Sequence, residues 1–109
     1  MSAGDWKEMY RAAEEGDLEL VRYHIANGIN PNYQHPAVLS TPLVASIING
    51  HVEIARYLLE NGADGDLSSH FEELTPIEAA RLHKRFEIAE ILKAKIAPQS
   101  WLQKAITYF

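Results

Sequence analysis

The 109-residue chain has no cysteine. That removes disulfide frameworks, zinc-thiolate and iron-sulfur centres and thiol nucleophiles, so any fold rests on packing alone. Long apolar runs are missing too, since nowhere does the sequence approach the ~18 uninterrupted apolar residues of a membrane span. The opening residues Met1-Ser2-Ala3-Gly4-Asp5 carry neither the basic stretch nor the apolar stretch of a secretory leader, and the expectation is a cytoplasmic protein with no membrane contact. Positive charge is scarce: the net charge is -5, and residues 1 to 66 carry -6 against +1 over 67 to 109. An acidic two-thirds of this kind repels phosphate backbones and argues against a nucleic-acid partner.

The signatures of common chemistries are absent as well. No phosphate-cradling glycine loop, His-Glu-x-x-His, Gly-x-Ser-x-Gly or EF-hand loop occurs, and the six glycines fall mostly at helix ends. Glu14-Glu15 and Glu72-Glu73 are adjacent pairs, which read as solvated acidic faces rather than as an acid-base couple in a cleft. Five histidines invite a metal reading. His24 and His51 occupy positions that helix packing or capping explains, which leaves His35, His70 and His83 as an alternative metal or small-ligand set. The expectation is no catalytic residue, no cofactor and no metal, hence a protein that is not an enzyme.

What is present is a repeat. A shift of 34 residues lays Gly16-Asp17-Leu18-Glu19-Leu20-Val21 on Gly50-His51-Val52-Glu53-Ile54-Ala55. A second step lays Thr41-Pro42-Leu43 on Thr75-Pro76-Ile77 and Glu53-Ile54-Ala55 on Glu87-Ile88-Ala89. A period of this size means stacked supersecondary units that bury their apolar faces only against neighbours. Within a unit, Thr41 and Pro42 open a short helix that ends at Gly50, and a second helix over about 51 to 61 carries Val52, Ala55, Leu58 and Leu59 on one stripe. The corresponding stripes are Leu18, Val21 and Ile25 before it and Phe86, Ala89 and Leu92 after it. Thr75 with Glu78 makes a capping box, and Asp5 with Glu8 is expected to do the same in the first unit.

Ser40-Thr41-Pro42-Leu43-Val44-Ala45, Asn49-Gly50-His51-Val52-Glu53-Ile54-Ala55 and Leu58-Leu59-Glu60-Asn61-Gly62-Ala63-Asp64 together resemble an ankyrin repeat read almost end to end. The resemblance extends more loosely over residues 6 to 95. It implies an all-α solenoid of about three helix-turn-helix units with projecting fingers, here taken as repeats 5-38, 39-72 and 73-97 of a domain over 1-97. Two departures stand out. Val44 and Glu78 replace the His that ties neighbouring fingers in the family, so the fingers are expected to be less firmly held. The connectors 33-40 and 67-74 lack the Asp-x-x-Gly tip and are unusually apolar.

The first unit presents Glu8, Arg11, Glu14, Glu15, Asp17 and Arg22 and reads as an N-terminal cap, while Lys84-Arg85 and Lys93 adapt the third unit to being last. Beyond Pro98, Ser100 with Gln103 forms a capping signature. Trp101, Leu102, Ala105, Ile106 and Phe109 then share one helical face, so 98-109 is expected to be a short C-terminal capping helix, or alternatively an assembly contact. The resemblance places a binding surface on the fingers and the short-helix face, at Trp6, Glu14, Glu15, Val38, Ser40, Ile48, Asn49, Phe71, Glu72, Leu74, Leu82 and His83. An apolar strip of Ile48, Leu82, Val38 and Phe71 with an acidic border suits another protein, through a basic or amphipathic segment. The chain itself is expected to be a monomer or weak homodimer.

Overall fold

Thr41 and Thr75 begin helices as their spacing predicts. The Thr41 hydroxyl accepts the N–H of Val44 at 3.2 Å, and Pro42 takes the first helical position, where no N–H is needed. At the next unit the capping box is complete: Glu78 N–H donates to Thr75 Oγ1 at 3.3 Å, and Thr75 N–H donates to the Glu78 carboxylate at 2.9 Å. The backbone bond from Thr75, helped by its hydroxyl, holds the Glu78 carboxyl below the usual carboxylate range.

In this computed structural model, which describes residues 3–94, the helices follow one another in three pairs. They are α1 (Ala3–Glu15) with α2 (Leu18–Ala26), α3 (Pro42–Ile48) with α4 (Val52–Glu60), and α5 (Pro76–Leu82) with α6 (residues 86–94). Among the described residues the one β feature is an isolated bridge between Ser69 and Leu74. The fold is the all-α repeat solenoid that the sequence implies. The helix expected over 98–109 lies outside the described residues.

Each short helix ends the same way. Asp17 N–H donates to Ala12 O, His51 N–H to Ser46 O and Arg85 N–H to Ala80 O, at 2.9, 2.8 and 2.7 Å. The residue before each donor is left-handed, with φ of 90° at Gly16, 77° at Gly50 and 57° at Lys84. Lys84 adopts this conformation in spite of its Cβ, at a local cost that glycine avoids.

The first unit differs from expectation at its start. Helix α1 begins at Ala3, so Asp5 lies in its first turn rather than at its cap. Glu8 is used elsewhere, its carboxylate 2.8 Å from Nε2 of the buried His24, which ties α1 to α2.

Helix α3 lies between α1 and α5, and six of its seven residues are buried. The core runs through the stack as Met9 and Ala13, then Leu43, Val44 and Ile47, then Ala79 and Ala80, backed by Val21, Ile54, Ala55, Leu58, Ile88, Ala89 and Leu92 of the second helices. Each large aliphatic side chain so buried contributes about 1.5–3 kcal/mol. Phe86 departs from the predicted stripe: it is 73% exposed, and Ile88 takes the inward place. The reason is positional, because its equivalents Leu18 and Val52 are half-buried with another unit following them, whereas no unit follows Phe86 among the described residues.

Polar ties cross both junctions. The His51 ring donates to Glu14 O at 2.9 Å, and 34 residues later Arg85 does the same work, Nε to Ile47 O at 3.1 Å and Nη2 to Ile48 O at 2.7 Å. Asn32 bridges the first two loops, accepting from Asp64 N–H at 2.7 Å and donating to Gly62 O at 2.9 Å.

Candidate protein-binding face

The fingers are the connectors 33–40 and 67–74, and they are held more firmly than the missing histidines suggest. Gln34 spans them, donating to Ser68 O and accepting from His70 N–H, both at 2.9 Å. Phe71 N–H donates to Leu39 O at 2.7 Å, and the Ser40 hydroxyl donates to the Glu72 carboxylate at 2.9 Å. Without an Asp-x-x-Gly tip the chain still turns by a left-handed residue, Leu39 (φ 58°) in the first finger and Glu73 (φ 57°) at the equivalent place in the second. The expectation of loose fingers is therefore corrected: main-chain and amide bonds replace the lost imidazoles.

Tyr10 stands where the family's His would fall in the first unit, 34 residues before Val44. Its hydroxyl makes a hydrogen bond with Ser40, and its ionisation is pushed up, first by burial and then by the nearby Glu14 and Glu72 carboxylates. Two acids from different elements, α1 and the second finger, thus bear on one phenol. Sequence reading placed Tyr10 among routine helix-edge aromatics, and the 34-residue register is the signal that marks it.

Three predicted site residues turn out to be structural. Trp6 is 3% exposed, stacked on Tyr10 and His35 with ring centroids at 5.4 and 6.0 Å, and meets Tyr33 edge-on. It anchors the first finger to α1 and offers no surface. Ser40 is buried at 1% exposure with its hydroxyl committed to Tyr10 and Glu72. Ile48 is half-buried against the core because α5 packs beside it, which corrects the expectation that it stays outside.

Val38 and Leu74 are likewise half-buried against the core and anchor their fingers. Glu14, Glu15 and Asn49 are exposed, although the Asn49 amide is turned back to Ala45 O at 2.8 Å. His83 is half-buried and closes α5 through its backbone N–H, and Glu72 is half-buried beneath the finger. Phe71 and Leu82 are open, at 74% and 65% exposure.

These two exposures have different causes. Leu82 is the equivalent of Ile48 and lacks only a following unit. The equivalent of Phe71 is Ala37, which stays exposed even with the second finger beside the first, so stacking does not account for an open aromatic at 71. The structure thus brings together Phe71, Glu72, Tyr10 and Glu14, and leaves Glu15, Asn49, Leu82 and His83 outside that group.

The alternative histidine set is not assembled. Nδ1 of His35 accepts from Ala37 N–H at 3.0 Å and its ring lies on Trp6. Among the described residues no three His, Asp or Glu side chains are placed to hold a metal ion, and no helix is long and apolar enough to cross a membrane.

Fold and face define a stacked helix-turn-helix repeat protein with projecting, cross-braced fingers. The family model for ankyrin repeats matches residues 9–100 in 3 copies, and the chain belongs to the ankyrin-repeat family. Proteins of this family generally bind other proteins and are typically non-catalytic. No curated protein matches the chain.

Proposed function

We infer that this protein is a non-catalytic, cytoplasmic interaction module that binds another protein through its second finger and the adjoining short-helix face. The observation that carries the reading is Phe71, a large aromatic kept 74% exposed on a finger braced by its own backbone bond to Leu39 and by Gln34. A rigid apolar anchor needs little ordering when a partner arrives, so its burial goes into affinity. Glu72 and Glu14, with Tyr10 between them, form an acidic edge beside that anchor and favour a basic or amphipathic segment. An adaptor, an inhibitor and a targeting subunit all use such a surface, and the fold alone does not choose among them.

The test is affinity capture from source-cell lysate with the wild-type chain, Phe71→Glu, and Tyr23→Glu as a control for an equally open aromatic on α2. The reading requires a protein retained by wild type and Tyr23→Glu and lost by Phe71→Glu, with all three equally helical. Equal retention by all three overturns it.

A further inference from the structure

We propose that the open end of the third unit is covered by residues 100–109 of the same chain, folded as one amphipathic helix over Phe86 and Leu82. The argument starts from the 34-residue register. In the second unit Val44 and Ile47 are fully buried and Ile48 and Val52 half-buried, with the third unit packed against them. Their equivalents at the end of the third unit are Glu78, Arg81, Leu82 and Phe86, all exposed. The face is therefore not a copy of the surface on which these repeats stack. Another repeat of the same kind would press Glu78 and Arg81 into an apolar junction, and burying charge in that way is costly.

Half of the face remains apolar. Phe86 at 73% and Leu82 at 65% exposure lie across the turn between α5 and α6. An occupant must be narrow enough to cover those two and leave Glu78 and Arg81 at its margin. A single helix meets that condition and a helical pair does not.

The sequence supplies such a helix. Trp101, Leu102, Ala105, Ile106 and Phe109 fall on one face, with Gln103, Lys104 and Thr107 on the other, after a Pro98 break and a Ser100–Gln103 capping signature. Its reach is sufficient. The five residues 95–99 separate it from Ala94 and span up to about 17 Å, whereas the nine described residues of α6 rise over only about 12 Å. Residue 100 can therefore start beside either end of α6. A helix of ten residues is marginal in water by itself, so docking and folding of the segment are one event.

The full-length chain labelled with 5-fluorotryptophan tests this, because its two tryptophans are Trp6 and Trp101. Trp101→Phe assigns the two resonances, and Trp6, buried in the first unit, reports that the repeats remain folded. In the wild type the Trp101 resonance should lie away from its denatured position and respond weakly to exchange of solvent H₂O for D₂O. Phe86→Glu, and separately Leu82→Glu, should move it to the denatured position and raise its solvent response several-fold, with the Trp6 resonance unmoved. Phe71→Glu should leave Trp101 where it is, so failure here and failure of the finger-binding reading are separate results. A wild-type Trp101 resonance already at its denatured position overturns the proposal, as does one unmoved by both variants. A Trp101 resonance that shifts with protein concentration as the mass doubles also overturns it, because the occupant is then a second copy.

Discussion

Replacing Arg85 with methionine keeps the length of the side chain and removes its donors. The guanidinium bonds Ile47 O at 3.1 Å and Ile48 O at 2.7 Å across the second junction. Ile47 O keeps a second donor, Gly50 N–H at 3.1 Å, so the larger loss falls on Ile48 O. A partly buried acceptor left without its charged donor costs about 1–2 kcal/mol. Loss of a cation from the C-terminal end of α3 adds about 0.3–1 kcal/mol. The total, about 2 kcal/mol, lowers Tm by about 8–16 °C in a domain of this size, read by circular dichroism and by urea titration. Gly50 supplies an internal check. A Cβ added there would stand 3.0 Å from the Arg85 guanidinium carbon, on a backbone with φ of 77°. Gly50→Ala should thus destabilise less in the Arg85→Met background than in the wild type, by the part due to the close approach, while the backbone strain remains in both. If Arg85→Met costs no more than Lys84→Met on the exposed neighbouring side chain, the tie across the junction contributes nothing and the reasoning fails.

Two further outcomes are expected. Because the Glu78 carboxyl is held below its ordinary value of 4.5, its contribution is complete above that pH and is lost as pH falls through the lower folded value. Thr75→Ala should therefore cost about 1 kcal/mol at neutral pH and flatten the acid limb of a plot of stability against pH; an unchanged limb would remove Glu78 from the account. Gln34→Ala breaks both bonds across the fingers, to Ser68 O and from His70 N–H. It should cost about 1 kcal/mol and speed hydrogen exchange at the His70 amide several-fold while core amides are unaffected; an unchanged His70 rate would mean that the Phe71–Leu39 bond alone holds the fingers together.

The repeat period, the caps at Thr41 and Thr75 and the helix ends at Gly16 and Gly50 were legible because each is a local signal of a few residues. Burial across the stack was less so. Phe86 shares its helical position with Leu18 and Val52, and only the presence or absence of a following unit decides whether that position is covered. Trp6 and Ser40 looked like surface because the family's varying positions fall there, but an N-terminal aromatic cluster and the Tyr10–Ser40–Glu72 network fill those places. The bracing of the fingers could not be foreseen for a different reason. Gln34 and the backbone of Phe71 replace a histidine motif with groups that carry no motif of their own.

Helix α3 has one further consequence. With Pro42 through Ile47 all buried, it has almost no side of its own facing water, so its burial depends on both neighbours at once. Deleting either outer unit would expose Val44 and Ile47 or their contacts on α1. The three segments are interchangeable as text and yet melt as one body, so the smallest piece of this chain that can evolve, be excised or be grafted is the whole array.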